Sequence, residues 1–362
     1  MLLTLTEFEY RVTLSIIKEK DYISPKGKVT SIDYLDDSGK VVAKGVVSSN
    51  GILTEKDILN TVGKIIEKDL LNSKGKITSI SYLNDFGNVI AKGIVDSNGK
   101  LTEKDYLNPK GKVISVDYFD NAGKIIAKGI IGSNGKLAEK DFVDYQGITT
   151  GINYFNSSGS ITAKGLVDSN GKLIEKDYYN SKGSITSIDY FDNSGKLTVK
   201  EVIGSNGKFK EKDFFDASGN ITTKATPDSK GNMNYAGNAS NNTYNFNKDD
   251  GSSVIKDSGG TDTISFGTGI KKEDISFFKK NNDLVIKYGS NDSIQISNQS
   301  KIANSIEKIQ LSDGQFLTNT DINKIIQDVS SYAVGHGVQI TSADSINSNQ
   351  NLMNILTHSW HS

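Results

Sequence analysis

The sequence predicts an all-β protein: an elongated antiparallel array or solenoid of β-hairpin repeats, then a small β domain and short C-terminal helices. Three observations carry this. Glycine recurs at every twelfth position from Gly27 to Gly231, eighteen times, which is about half of the 35 glycines in the chain. Most 12-residue units pair an Asp/Asn-x-x-Gly turn signal with seven or eight residues rich in β-branched and aromatic types, while Ser48, Gly132 and Gly204 break the series. After residue 237 lysine thins, Asn, Ser and Gly rise, and the period is lost.

The units justify themselves in order. Segment 10–21 reads as a decayed unit within an N-terminal cap, 1–21, and repeats fill 22–237. Three flavours of unit cycle, as in YLNPKGKVISVD, YFDNAGKIIAKG and IIGSNGKLAEKD over 106–141, giving a super-period of 36 residues. Blocks 22–57, 70–105, 106–141, 142–177 and 178–213 follow it, with a lone unit at 58–69. Units 214–237 keep the glycine but lose the pattern, as terminal units that cap a stack are expected to. Tight turns cannot join parallel neighbours, so the strands must pair antiparallel. The residue two after the glycine is apolar in nearly every unit, as is the one six further on (Val29 and Leu35, Leu101 and Leu107), so the expectation is that both fall on one face. The position before the second is often tyrosine and points the other way. Tyr106, Tyr118, Tyr154, Tyr178 and Tyr190 are therefore the candidate ligand-binding residues of the array.

Composition excludes several classes. With 42 basic and 43 acidic residues the net charge is −1, which argues against a nucleic-acid binder. There is no cysteine, so no disulfide framework and no thiolate metal site. No apolar run reaches the ~18 residues of a membrane span. The three histidines, His336, His358 and His361, all lie near the C-terminus. No Gly-x-Ser-x-Gly elbow, phosphate loop or His-Glu-x-x-His pattern occurs, so a non-enzymatic protein is expected.

The Asn-Gly-Lys turns beside Tyr-Tyr-Asn segments, as in SNGKLIEKDYYNSKG (169–183), resemble the hairpin repeats of cell-wall- and carbohydrate-binding solenoids. They also resemble the Tyr-Asp repeats of large bacterial shell toxins. The tryptophans that carry sugar stacking in the first family are missing; the one Trp is Trp360.

Residues 237–278 resemble the repeats-in-toxin (RTX) family, whose Gly-Gly-x-Gly-x-Asp-x-apolar-x nonapeptides bind calcium in a parallel β-roll. Gly237 to Phe246, Asp250-Gly251 and Gly259 to Ile264 align with successive turns. Asn242 and Ser253 replace the family's aspartate in two of the three, while Asp262 keeps it. The resemblance implies a degenerate roll in which calcium binding is weak or lost, with Asp250, Asp257 and Asp262 as the remaining metal candidates. Residues 283–287 and 292–296 are similar to the domain that follows such rolls, and 306–318 reads as a hairpin with an Asp-Gly turn. From Asp321 to Tyr332, Ile322, Ile325, Ile326 and Val329 stand at helical spacing behind a Thr318–Thr320 start. With the terminal Ser-Trp, this stretch resembles the uncleaved C-terminal signal of type I secreted proteins. The N-terminus has no basic region before its apolar start, so no cleaved signal is expected.

The expected organisation is a cap (1–21), the array (22–237), an RTX-like β domain (238–318) and a helical export signal (319–362). The expected function is that of an exported bacterial protein at the cell surface or in the extracellular matrix, an adhesin-like or ligand-binding rod. Its expected partners are the type I secretion machinery and a carbohydrate or other surface partner. The alternatives are an RTX toxin or bacteriocin-like effector that attaches through its repeats, and a structural spacer.

Overall fold

The computed structural model describes residues 18–340 and 343–362. The N-terminal cap, apart from residues 18–21, lies outside them. The chain divides into two compact units, 1–183 and 184–362. The division falls inside the array. No helix is long and apolar enough to cross a membrane among the described residues.

In the first unit the strands are β1 (Lys18–Ile23), β2 (Val29–Leu35), β3 (Val41–Val47), β4 (Leu53–Leu59), β5 (Ile65–Leu71), β6 (Ile77–Leu83) and β7 (Val89–Val95). They continue as β8 (Leu101–Leu107), β9 (Val113–Phe119), β10 (Ile125–Ile131), β11 (Leu137–Val143), β12 (Thr149–Phe155), β13 (Ile161–Val167) and β14 (Leu173–Tyr179). Each pairs antiparallel with the next, so the array is an open meander and not a coil. Within this unit no described element packs on either face of the sheet.

The turns explain the period. In the turn after β2, Asp36 N–H donates to Lys40 O and Gly39 N–H to Asp36 O, both at 2.9 Å. The Asp36 carboxylate accepts from Ser38 N–H and Lys40 N–H at 2.9 and 3.0 Å, so one side chain fixes the loop. Gly39 has φ +82°, which L side chains rarely adopt. Where the Asp/Asn is replaced the clasp moves: Asn134 Oδ1 takes the Lys136 N–H after Gly132, and Ser48 Oγ takes the Ile52 N–H. The lysine after the glycine reaches the next turn on the same edge. Lys28 Nζ donates to Ser49 O and Lys64 Nζ to Asp85 O, both at 3.0 Å.

The faces differ from the sequence expectation. A unit position lies opposite a position of opposite parity: Glu103 pairs with Tyr118, Tyr118 with Ala127, Ala127 with Phe142. Side chains alternate along a strand, so an odd offset moves each repeat position to the other face in the next strand. Tyrosines therefore decorate both faces. Each face carries two cross-strand rows. On one face an aromatic and aliphatic row runs Tyr34, Ala43, Ile58, Glu67, Tyr82, Ala91, Tyr106. Beside it runs Ile32, Gly45, Lys56, Asp69, Ile80, Gly93, Lys104, Asp117. The other face holds Lys44, Asp57, Lys68, Ser81, Lys92 and Asp105 in one row. There Lys68 Nζ sits 2.8 Å from Glu55 and 3.2 Å from Asp57. Each cross-strand pair contributes roughly 0.2–1 kcal/mol, and the rows sum many of them.

The second unit begins with four more repeat strands, β15 (Ile185–Phe191), β16 (Leu197–Ile203), β17 (Phe209–Phe215) and β18 (Ile221–Pro227). The chain then coils. Strands β19 (Met233–Gly237), β20 (Thr243–Phe246), β21 (Ser252–Lys256) and β22 (Thr263–Phe266) lie alternately in two sheets. β19 pairs parallel with β21, and β20 with β22, each 20 residues apart (Met233 with Ser253, Thr243 with Thr263). A hairpin, β23 (Ser276–Lys280) and β24 (Asp283–Lys287), widens the next coil. β25 (Ser293–Ile296) then pairs parallel with β21, and β26 (Lys308–Gln310) with β22. β27 (Phe316–Thr318) closes a hairpin on β26. The parallel roll implied by the resemblance is present.

Unlike the array, this roll has a core. Tyr244, Phe246, Ile255, Ile264, Phe266 and Ile294 are buried between its sheets. Helix α1 (Asn319–His336) adds Ile322, Ile325 and Val329 to that core, α2 (Ala343–Asn347) adds Ile346, and α3 (Gln350–His358) adds Leu352 and Leu356. Thr318 caps α1 with Asp321 as its reciprocal partner, and Gly337 ends it with φ +65°. The tail returns to pair His361 with Phe316.

The array's dependence on small residues is testable. A Cβ on Gly93 would lie 2.9 Å from Ile80 Cβ, an atom that cannot swing aside. Gly93→Ala should cost about 1–3 kcal/mol in urea unfolding. Gly111→Ala, at an open turn position, carries only the strain of φ +73° and should cost ~1–2 kcal/mol.

Candidate functional site

The five sequence-predicted tyrosines are all half-buried on strands. Tyr118 and Tyr154 precede strands whose third and fifth residues are Ala and Gly; Tyr106 and Tyr178 follow such strands. Ala91 is paired with Tyr82 on one side and Tyr106 on the other, Ala127 with Tyr118 and Phe142, Ala163 with Tyr154 and Tyr178. These alanines are at most 2% exposed, so each Ala-x-Gly strand forms a shallow trough between two aromatic side chains. Tyr190, on β15 in the second unit, pairs with Val199.

The trough has a second component that the sequence reading missed. The lysine opposite each glycine lies over the tyrosine on the far side. Lys104 Nζ is 3.6 Å from the Tyr82 ring centroid, Lys140 3.7 Å from Tyr118, and Lys176 3.5 Å from Tyr154. Lys56 stands 4.7 Å from Tyr34. In each pair the lysine follows the tyrosine by 22 residues, and the glycine between them has no side chain to block the path. Such contacts contribute ~0.5–1 kcal/mol at exposed sites.

A carboxylate pair completes each cluster from the strand before the tyrosine: Glu67 and Asp69, Glu103 and Asp105, Glu139 and Asp141. The electrostatics follow. Burial pushes the Tyr154 hydroxyl up to about 12, helped by the Glu139 and Asp141 charges. Burial raises Tyr34 and Tyr118 too, with Glu19 and Asp21, and Glu103 and Asp105, adding to it. Burial and the neighbouring Asp69 lift Glu67 to about 7, against the opposing charge of Lys104. Burial lifts Asp69 to about 6. Tyr106 donates to Asp117 at 2.8 Å. Each trough thus combines aromatic faces, a lysine and carboxyl groups that burial raises above their ordinary range.

The three metal candidates do not converge. Asp250 lies in the turn between β20 and β21, whereas Asp257 and Asp262 lie in the turn between β21 and β22, at the other end of the strands. Asp250 Oδ2 accepts its own turn's Asn247 N–H at 2.6 Å. Asp257 accepts Gly259 N–H at 2.7 Å through Oδ1 and the Tyr244 hydroxyl through Oδ2. Asp262 Oδ1 accepts the Asn242 N–H at 2.7 Å, and its own N–H goes to Glu307 Oε2 at 2.7 Å. Burial raises Asp262 to about 7, with Asp257 and Glu307 adding to the shift. Calcium takes six to eight oxygens. In this turn cluster, Asp262 Oδ2 and Asn242 Oδ1 are the buried side-chain oxygens without a hydrogen-bond partner among the described residues. No group of three His, Asp or Glu positioned to hold a metal occurs among those residues. The donor set does not fit calcium.

The raised carboxyls make the array pH-sensitive. Folded values near 7 and 6 for Glu67 and Asp69 exceed the ordinary ~4.3 and ~3.9, so the folded state binds more protons between. Stability is complete below the unfolded values and is lost as pH rises through 6 to 7. Asp36, held down by hydrogen bonds from Ser38 and the Lys40 N–H, acts in the opposite sense and only below about pH 4. The urea midpoint should fall between pH 5 and pH 8, and Glu67→Gln with Asp69→Asn should flatten that fall. Lys104→Met should push Glu67 still higher, read by carboxyl NMR titration.

Residues 283–321 match the family model described as haemolysin-type calcium binding protein related domain. They run from β24 through the start of α1. A search of curated proteins finds no match. Among solved structures, accessory secretory protein 1, 2 and 3 of Streptococcus pneumoniae aligns at 17% identity and TM-score 0.20, over 36% of this chain and 22% of that one. The Glycosylation Associate Protein (Gap123) complex from Streptococcus agalactiae aligns at 18% and TM-score 0.22, over 39% and 29%. The GtfA/B complex bound to UDP and GlcNAc aligns at 9% and TM-score 0.23, over 59% and 43%. The chain therefore spans less than half the length of each, and at these scores the likeness carries no argument about fold or function. What the comparisons show is a segment, 283–321, similar to the haemolysin-type calcium binding protein related domain.

Proposed function

We propose that this chain is an exported, non-enzymatic bacterial protein that acts at the cell surface or in the extracellular matrix, where its repeats bind a ligand in an adhesin-like role. The observation that carries the export reading is the match of 283–321 to a haemolysin-related domain, joined to a C-terminal segment, 319–362, that resembles the uncleaved signal of type I secreted proteins. The ligand reading rests on the Ala-x-Gly troughs. An aromatic side chain on either side of a flat strip, two strand spacings apart or about 10 Å, with charged groups at the rim, suits a polyhydroxylated chain such as a glycan.

One observation favours a second reading, a structural spacer. Lys104, Lys140 and Lys176 already cover one face of Tyr82, Tyr118 and Tyr154. A ligand that stacks there must displace them.

Three measurements test these readings. Fractionation of the producing cell should place the intact chain in the medium or on the surface; retention in the cytosol contradicts export. Deleting 321–362 is a poor test, because it also removes Ile322, Ile325, Leu352 and Leu356 from the core. Fusing 319–362 to a passenger protein is cleaner, and the passenger should leave the cell. The purified chain on a glycan array should give hits that weaken at least tenfold in Tyr106→Ala with Tyr178→Ala. No hit at all favours the spacer.

A further inference from the structure

The turns of the roll stand where the related family places metal, yet their carboxylates are turned to another task. Asp262 receives the N–H of Asn242 from the preceding coil at 2.7 Å. One coil further on, Glu307 receives the N–H of Asp262 at 2.7 Å, and its other oxygen is held by the Ser305 hydroxyl at 2.6 Å. At the opposite end of the strands, Asp292 accepts Asp249 N–H at 3.0 Å and Gly251 N–H at 2.9 Å from the coil before it. All four backbone bonds run in one direction: a later coil's carboxylate closes an earlier coil's turn.

From this we infer that the roll, 233–318, is closed coil to coil by carboxylate-to-backbone hydrogen bonds and folds without a divalent cation. Asp262, Glu307 and Asp292 do locally what a bridging ion would do, which is to tie successive turns together. Bonds from backbone N–H groups to an ionised carboxylate are stronger than neutral ones, and those on Asp262 and Glu307 are short, at 2.7 Å. Asp262 and Asp292 are buried, at 0% and 2% exposure, so removing an acceptor would leave a buried N–H orphaned. Glu307 is the residue that no repeat pattern marks, and it takes the place that the next coil's aspartate would hold.

The full chain tests this directly, because its one tryptophan, Trp360, lies in the second unit and reports on it. Thermal unfolding is followed by Trp360 fluorescence in EDTA and in about 10 mM calcium, well above the weakest protein sites. The expected result is the same midpoint in both. Glu307→Ala should lower that midpoint by about 3–8 °C, equally with and without calcium. Asp262→Asn, which keeps the Oδ1 acceptor, should fall by less. A midpoint that rises by several degrees in calcium, or a transition absent in EDTA, overturns the inference. Should Glu307→Ala fail to fold, the wild-type comparison still decides.

Discussion

A sheet one layer thick has no interior, so every side-chain contact that stabilises the first unit must be made along a face or at an edge. That constraint shapes the array. Side chains can shelter only behind their cross-strand neighbours, and the register decides who those neighbours are. Glu103 meets Tyr118 and Tyr118 meets Ala127, so this aromatic side chain is set between a charged residue and a small one. The Ala-x-Gly strands supply the room. Tyrosines lean over them, lysines cross them, and the alanines are among the most buried residues of a sheet with no core. Charge rows on each face keep this surface soluble. At β1, Lys18, Glu19, Lys20 and Asp21 also blunt the strand that carries no further described partner.

The second unit obeys the opposite rule. Once the chain coils, Phe246, Ile264 and Ile294 face inward from two sheets and the hydrophobic effect takes over. The coil's turns must then satisfy their own backbone groups. Asp257, Asp262 and Asp292 are drawn inside to do it, and Asp262 is buried deeply enough to hold a proton near neutrality. The C-terminal helices belong to this same core. The segment that resembles an export signal is, in the folded protein, part of the structure it follows.

Much of this was legible in the sequence, for reasons that differ by element. The strands and turns of the array were readable because the Asp-x-x-Gly signal acts within five residues, as Asp36 to Lys40 shows. The hairpin over 306–318 and the Thr318 cap were local in the same sense. Which face a residue occupies was not, because that depends on pairing and not on the strand alone. Hence the tyrosines were expected on one face and occupy both. The lysines that cover them escaped notice for the same reason: a separation of 22 residues means nothing until Gly93 is known to lie between Tyr82 and Lys104. In the roll, Asp250, Asp257 and Asp262 stood out as motif aspartates, but the motif could not show that Asp250 sits at the other end of the strands. Glu307 and Asp292 close coils from 45 and 41 or more residues away, and no local pattern marks them.

The alternation of faces is the claim on which the clusters and rows depend, and the absence of cysteine makes it directly measurable. Leu70 and Ile94 are exposed at 45% and 46% and occupy one face two strands apart; Ile94 and Tyr106 hold the same repeat position on adjacent strands. Cysteines introduced at each pair and labelled with pyrene report proximity by excimer emission. The structure predicts a strong excimer for Leu70 with Ile94 and none for Ile94 with Tyr106, although the second pair is closer in sequence. An excimer from Ile94 with Tyr106 and none from Leu70 with Ile94 would contradict it.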